Sequence, residues 1–326
     1  MTKKLKVELQ NSGFKTNSFN LKACYTDPTA GLNIVNAELF KQITASRPNL
    51  ANSIVNDMPN YGQVAGIPLE LGINNLDQGL YVLEPYQEDK LYNLDDKLSD
   101  NIALSDNQSD LSTFTQPFTT DDLVDTAFNN RSPKKVDQSV VDRFNELYQL
   151  ANASDADYYK LEEQYLDVFA AIDYLTFISA INDVDGITKN ITYISKAGSK
   201  WVLMPYDLDM TWNTLYNGAI MSIDTNIEDL LNSYQQRLLL TIYNHRQDVI
   251  DRYKELRQNI LSTNNITNLF NGWLTKVGSA AFENDDALWG DITIPGGTHR
   301  HPVNVADFDI MLKQRLANVD HFLGLI

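Results

Sequence analysis

Cysteine is scarce in this sequence, since Cys24 is the single thiol in 326 residues. One thiol excludes an intrachain disulfide and a thiolate metal cluster, and with no histidine nearby along the chain we expect Cys24 to be a small buried hydrophobic residue. Long apolar runs are also missing, because none approaches the roughly 18–20 residues of a membrane span. The basic N-terminus is not followed by the apolar segment of a secretory signal. We therefore expect neither a membrane span nor a signal peptide.

Positively charged residues are also few in this sequence. The sequence has 26 Lys and Arg against 43 Asp and Glu, a formal net charge of −17. This balance argues against nucleic acid as the main ligand, because phosphate backbones are bound by clustered Lys and Arg. It suits a basic protein partner, or serves solubility alone. Hydrophobic residues make up 43% of the chain, which is typical of a globular protein.

The chain divides by composition into three parts. Residues 1–92 are expected to form a small β-rich unit with two N-terminal strands, one helix and a hairpin over 66–84. Residues 93–140 are rich in Asp, Ser, Asn and Thr, which predicts an exposed, polar and acidic insertion or a loosely helical excursion. Residues 141–326 have apolar residues at helical spacing and are expected to be mainly helical. This order predicts an α+β chain with the layout of a bilobal protein-kinase-like fold, a small β-rich lobe before a larger helical lobe.

Residues 182–212 carry the strongest functional signal. Asp185 stands five residues before Asn190, and Asp207 and Asp209 follow a strand-like hairpin. Protein kinases use this arrangement, with one Asp beside the acceptor hydroxyl and an Asn and a further Asp holding Mg²⁺. Asp, Asn and Gly also cluster in ordinary turns, so the first half alone is more often a turn than a site. The second half favours a site, because its two carboxylates lie among apolar residues with no Lys or Arg beside them in the sequence.

A kinase-like site also needs a lysine to position the phosphates of its nucleotide. Lys22 is the preferred candidate because it lies in the middle of an apolar predicted strand, although an edge lysine that extends to solvent would look the same. Lys4 and Lys6 are alternatives. Glu84 ends the strand of the predicted hairpin. It is either part of the nucleotide site, next to the hinge or as an ion-pair partner of Lys22, or an ordinary strand-end charge.

Two further pairs of residues have simpler interpretations. Trp201 and Trp212 flank the DLD strand and are expected to be core aromatics that shield the site. His299 and His301 are two residues apart in a Gly- and Pro-rich segment without a third ligand nearby. We interpret this histidine pair as part of a surface loop rather than a zinc site.

The sequence also resembles a known family. The segments that carry this resemblance are 19–40, 66–84, 172–194 and 200–212. They resemble the CotH kinase family of atypical kinases, which are similar to spore coat protein H, and the chain looks close to members from Firmicutes and their phages. The resemblance extends over nearly the whole chain, and the two central segments are the most specific.

The resemblance implies a divergent protein-kinase-like fold that binds ATP with Mg²⁺ or Mn²⁺ and phosphorylates Ser or Thr on a protein substrate, one that is basic or Ser-rich. It implies that Asp185 is the catalytic aspartate and that Asn190, Asp207 and Asp209 hold the metal. Lys22 and Glu84 remain the candidates for nucleotide binding. No nucleic acid or membrane ligand is expected, and the implied location is the cytoplasm, a spore coat or a phage particle.

Two departures from the family pattern support a second hypothesis. Members usually carry a strand and a phosphate-covering loop ahead of the segment that matches 19–40, so residues 1–92 are expected to lack both. Leu32 stands where the family has an Arg. The second hypothesis is therefore a catalytically weak structural or binding module of a phage tail or cell-surface assembly. The missing loop favours this module, whereas the presence of Asp185, Asn190 and Asp207 together favours the kinase.

Overall fold

The computed structural model describes residues 5–10, 12–107, 114–217, 225–291 and 305–325, and it contains both strands and helices. The strands are β1 (Val7–Glu8), β2 (Lys15–Thr16), β3 (Phe19–Lys22), β4 (Ile67–Ile73), β5 (Leu76–Pro85), β6 (Asn101–Asp106), β7 (Phe128–Ser132), β8 (Ile191–Lys196) and β9 (Val202–Pro205). The helices are α1 (Leu32–Ala45), α2 (Gln138–Ala151), α3 (Asp155–Tyr165), α4 (Val168–Ile181), α5 (Asp185–Thr188), α6 (Ile227–Tyr234), α7 (Arg237–Ile242), α8 (Arg246–Arg257), α9 (Thr263–Val277), α10 (Ser279–Trp289) and α11 (Val305–Phe322). The chain is therefore α+β, as predicted.

The first strands form two small antiparallel sheets. β1 pairs with β2, and the second sheet has the strand order β3-β5-β4. β4 and β5 form the hairpin predicted over 66–84, with Asn74 and Asn75 at the turn in left-handed conformation, φ 53° and 63°. Asn tolerates this conformation better than other residues with a side chain, so the turn chemistry fits the hairpin.

A buried aspartate, Asp27, lies five residues before the first residue of helix α1. The Asp27 carboxylate accepts hydrogen bonds from the main-chain N–H groups of Thr29 and Leu32 at 2.8 and 2.7 Å. The bond from Leu32 satisfies one of the donors that a helix N-terminus leaves open, and the bond from Thr29 fixes the turn before it. The other face of α1 is buried, and the Phe40 ring lies 4.9 Å from that of Phe177 in α4.

The larger antiparallel sheet has the order β7-β6-β8-β9. All side chains of β6 are buried, so the exposure expected for residues 93–140 is wrong for this strand. The polar composition misled the prediction because these side chains are hydrogen-bonded inside the protein. Ser105 bonds to Thr192 at 3.0 Å and donates to Gln87 at 3.3 Å. The division of the chain at residues 93 and 141 stays a prediction.

The remaining helices surround α4. Almost every residue of α4 is buried because the helix contacts α1, α7, α8, α11 and β9. The apolar spacing over 141–326 predicted mainly helices, and the described residues of that range contain the helices α3 to α11, with β8 and β9 between α5 and α6. Among the described residues, no helix combines the length and the apolar composition that crossing a bilayer requires.

Candidate active site

Two asparagines in left-handed conformation delimit the loop between α4 and β8. Asn182 ends α4 with φ 57°, and Asn190 precedes β8 with φ 59°. Between them, the short helix α5 begins at Asp185. The side chain of Asn190 donates a hydrogen bond to the main-chain oxygen of Asp207 at 3.3 Å. The loop is therefore joined directly to the segment that carries the second pair of predicted site residues.

That segment is a turn, not the strand expected for the DLD sequence. β9 ends at Pro205, and Asp207 has φ 55°. Two asparagines of α1 hold the turn: Asn33 accepts from the main-chain N–H of Leu208 at 2.9 Å, and Asn36 donates to its carbonyl at 3.1 Å. Helix α1 thus fixes the backbone between Asp207 and Asp209.

Lys22 connects the N-terminal sheet to this turn. Its ammonium forms an ion pair with Asp207 and lies 3.5 Å from Oε1 of Glu84. Lys22 is opposite Val82 across the β3–β5 pair and Glu84 is opposite Asn20, so Lys22 and Glu84 are diagonal neighbours on one sheet face. Although burial lowers the pKa of Lys22, these two carboxylates raise it above the usual value.

The ion pairs of Lys22 bear on the predictions made for Asp207 and for Glu84. Asp207 lacks a cationic neighbour along the chain, but it has one in the fold, 185 residues away. The ion pair of Glu84 with Lys22 is present, as one of the two interpretations of Glu84 requires. Glu84 is buried and also accepts from Asn33 at 2.8 Å. The roles of Lys22 and Glu84 in nucleotide binding stay predictions.

Asp183, Asp185, Asp207 and Asp209 form what we call the acidic centre. Burial raises the pKa of the half-buried Asp209 to about 7, and the charges of Asp207 and Asp185 add to this effect. Burial also raises the pKa of Asp185, a shift that Asp207 increases and Lys189 opposes. The negative charges of Asp185, Asp207 and Asp209 therefore disfavour one another's ionised forms.

Sequence reasoning missed two members of this site. Lys189 places its ammonium 3.1 Å from the Asp185 carboxylate, and their i,i+4 spacing was the available signal. Asp183 is buried, accepts from the N–H of Gly186 at 2.9 Å, and has its pKa raised well above the usual value by burial. Gly186 permits this contact, because a Cβ there would lie 2.5 Å from Asp183 Oδ2. No sequence signal distinguished Asp183 from a turn aspartate.

The donor atoms fit a hard divalent cation. The described residues contain no preformed group of three or more His, Cys, Asp or Glu side chains with metal-binding arrangement. Mg²⁺ in phosphoryl-transfer sites usually has only one or two protein carboxylates, with phosphate oxygens and water completing its shell. Lys22 contacts Oδ1 of Asp207, and Asn190 uses its Nδ2 to bond the Asp207 backbone. Oδ2 of Asp207, Oδ1 of Asn190 and the Asp209 carboxylate are the oxygens that would be available to such a cation.

The remaining predicted residues are not members of this centre, and three of them lie outside the described residues. Lys6 is exposed near β1, while Lys4, His299 and His301 lie outside the described residues. Cys24 is partly buried against the core. Trp201 and Trp212 are fully buried, as predicted for core aromatics.

The fold and the site define a class of protein: an α+β chain in which a strand lysine forms an ion pair with an aspartate of the turn after β9. An asparagine of the loop after α4 is hydrogen-bonded to the backbone of that same turn. Comparison with protein families identifies that class more closely. The family model described as CotH kinase protein matches residues 2–315, and the chain belongs to this family. The expected closeness to members from Firmicutes and phages stays a prediction. Comparison with curated proteins gives no match.

Proposed function

We propose that the protein is an atypical protein kinase that transfers a phosphoryl group from ATP, bound with Mg²⁺ or Mn²⁺, to Ser or Thr of a protein. The observation that carries the proposal is the ion pair between Lys22 and Asp207, which joins a strand lysine to the turn after β9. Asn190 bonds the backbone of the same turn and so brings in the loop that contains Asp185. We also propose a kinase-like bilobal arrangement, with the β3-β5-β4 sheet on one side of the site and the helices around α4 on the other.

Each residue has a role that follows from its chemistry. Asp207 and Asn190, supported by Asp209, would hold the metal ion, which when bound neutralises charge on the transferred phosphoryl group. Glu84 holds the ammonium of Lys22, which binds phosphate oxygens as a point charge. Asp185 accepts the proton of the acceptor hydroxyl. It must be ionised for this step, and Lys189 favours its ionised form against the effect of burial.

The charge of the whole chain bears on the substrate. A net charge of −17 attracts a basic protein and repels nucleic acid. We therefore propose a basic or Ser-rich protein as substrate, and the cytoplasm, a spore coat or a phage particle as the place of action. Neither a nucleic acid nor a membrane is part of the proposal.

The first test is Mg²⁺-dependent ATP binding and phosphoryl transfer. We expect calorimetric titration to detect ATP binding with Mg²⁺ and much weaker binding with EDTA. Labelled γ-phosphate should move to a basic, Ser-rich peptide. Absence of both binding and transfer, for folded protein at millimolar ATP, would contradict the kinase proposal.

Variants of the acidic centre separate metal binding from catalysis. Mg²⁺ with ATP should raise the melting temperature, because ligands that bind only the folded state stabilise it. Asp207→Asn should remove most of this rise, whereas Asp185→Asn should retain more of it, because the catalytic Asp acts chiefly on the acceptor hydroxyl. Phosphoryl transfer should fall by at least about a hundredfold in both variants. Two variants that respond to Mg²⁺ and ATP as the unaltered protein does would mean that these residues bind no ligand.

A second candidate function is the structural or binding module of a phage tail or cell-surface assembly. One observation favours it: Lys22 already compensates the charge of Asp207, so this pair is satisfied without a ligand. The titration described above distinguishes the two candidates, since the module requires no ATP.

A further inference from the structure

A groove crosses the surface where helix α4 begins. Two cavities of about 610 and 340 Å³ meet there, since Val168 and Phe169 line both of them. We call the two cavities together the α4 groove. Its walls come from α3, the first turns of α4, α8, the segment 48–54 after α1 and the turn between β8 and β9. None of the lining residues belongs to the acidic centre.

The floor of the α4 groove is apolar. Phe169 and Tyr159 are 43% and 64% exposed, although both are large aromatic residues. Val168 and Ile54 line the same cavity and are half-buried. Single exposed apolar side chains are ordinary on a protein surface, but several that adjoin one groove are typical of a surface that binds a partner.

The rim of the α4 groove is acidic. Three carboxylates line the larger cavity and four the smaller one, whereas the lining cations are Lys200 and Arg252. Arg252 is already paired with Asp173 and Glu255. The groove therefore presents negative charge around an apolar floor, which complements a segment that has both cationic and apolar side chains. The exposed carboxylates of the rim are Glu163, Asp248, Asp251 and Glu255.

Helix α4 connects the groove to the proposed active site. It begins at Val168, in the groove, and ends at Ile181, just before the loop that contains Asp185. Its 14 residues span about 20 Å. A Ser or Thr beside Asp185 is thus separated from the groove by most of the length of this helix, a distance that about six extended residues bridge.

We propose that the α4 groove docks a basic segment of the protein substrate, with an apolar side chain on the floor and Lys or Arg side chains along the rim. The inference rests on the proposed function. It gives the substrate two parts, an acceptor Ser or Thr and a separate docking segment. Docking raises the effective concentration of the acceptor at the active site, so it lowers KM and leaves kcat unchanged.

Fluorescence anisotropy with a labelled peptide of alternating Arg and Leu tests the groove without ATP. We expect the double variant Glu163→Lys with Asp251→Lys to weaken binding about tenfold, because two attractive charges become repulsive. Phe169→Ala should weaken binding at least about threefold through the loss of apolar area. Added salt should also weaken binding, since it screens exposed charges.

Matched controls lie on other surfaces of the protein. Glu283→Lys with Asp291→Lys makes the same change of charge at exposed positions in and after α10. Ile310→Ala in α11 shortens an apolar side chain at a residue that is 52% exposed. Both controls should bind the peptide as the unaltered protein does. Thermal melting establishes that each variant is folded.

Phosphorylation of a two-part peptide tests whether the groove serves the reaction. The peptide joins a Ser acceptor to the Arg and Leu segment through a Gly/Ser linker of about 12 residues, whose root-mean-square length is about 20 Å. We expect its KM to be at least about tenfold lower than that of the acceptor peptide alone, at the same kcat. The double variant in the groove should raise this KM to about that of the acceptor peptide alone.

The opposite results separate this inference from the proposed function. Peptide affinity that falls no further in the groove variants than in the controls would overturn the docking site. A two-part peptide that is phosphorylated with the KM of the acceptor alone would overturn it as well, and in both cases the proposed function stands. A protein that binds the peptide in the groove but transfers no phosphoryl group would instead overturn the proposed function, and with it the substrate role of the groove.

Discussion

At the residue scale, His245 shows how strongly local charge determines a protonation state in this protein. One ring nitrogen lies 2.7 Å from Glu162 and the other 2.8 Å from Asp248. The hydroxyl of Tyr158 also donates to Glu162, which is buried. The bond to Glu162 is the main reason why the pKa of His245 rises to about 9, against the opposing effect of burial.

A pH-dependent contribution to stability follows from this shift. Because the pKa is higher in the folded state than in the unfolded chain, the contribution is complete below about pH 6.5 and is lost as pH rises through about 9. Between these limits we expect the free energy of unfolding to fall by on the order of 2 kcal/mol more in the unaltered protein than in His245→Gln. Denaturant titrations at pH 6, 8 and 10 measure the difference. His321→Gln, at an exposed histidine, is the control and should follow the unaltered protein. If the free energy of unfolding of His245→Gln depended on pH as that of the unaltered protein does, His245 would not be the source of the pH dependence.

At the scale of elements, two hydrogen bonds join α10 to the β4–β5 hairpin. Asp285 accepts from the main-chain N–H of Leu80 at 2.7 Å, and the Trp289 indole donates to the carbonyl of Gln78 at 2.9 Å. Gly79 lies between these bonds with φ +83°. A Cβ at Gly79 would lie 2.3 Å from Asp285 Oδ1 and 2.8 Å from the indole nitrogen, so only glycine permits this approach.

Gly79→Ala should therefore separate α10 from the hairpin. We expect a loss of about 2 to 4 kcal/mol in the free energy of unfolding, from the strained φ and the displaced hydrogen bonds. Gly72→Ala in β4 is the matched control, because its Cβ would meet no atom closer than 4.0 Å. Equilibrium unfolding in urea measures both variants. A Gly79→Ala protein as stable as Gly72→Ala would show that α10 does not depend on this contact.

Local sequence signals predicted the elements and the spacing of the site, but not the contacts between distant segments. The turn of the hairpin over 66–84 and the apolar periodicity of α1 and α4 are local properties, and all three elements were predicted correctly. Strand β6 was missed because the partners of Ser105, among them Thr192, lie far along the chain. Strand β7 also contains a β-bulge at Arg131, which depends on strand register that composition does not reveal.

At the scale of the whole molecule, one buried carboxylate joins three helices. Asp173 in α4 lies 2.6 Å from Nε of Arg47, which follows α1, and 2.8 Å from Nε of Arg252 in α8. Arg252 also donates to the carbonyl of Ile43 and the hydroxyl of Ser46 at the end of α1. The three side chains are almost completely buried.

Removing this carboxylate should destabilise the whole fold. Asp173→Ala leaves two buried guanidinium groups without their common counter-ion, and we expect a loss of about 3 to 5 kcal/mol in the free energy of unfolding. Glu255→Ala is the matched control, because Glu255 pairs with the same Arg252 at 2.8 Å but is 58% exposed. It should cost less than about 1 kcal/mol. Equal losses in the two variants, measured by urea unfolding, would mean that burial of the triad has no special effect.

The contact between Lys22 and Asp207 also determines when the site can form during synthesis of the chain. The two residues are 185 positions apart. Ribosomes add about 5 to 20 residues per second, so Lys22 is synthesised on the order of 10 to 40 s before Asp207. The strands of the β3-β5-β4 sheet are all complete well within that interval. An unfinished chain therefore carries the lysine and its sheet without the carboxylate turn, and it has no assembled centre with which to act before translation has passed β9.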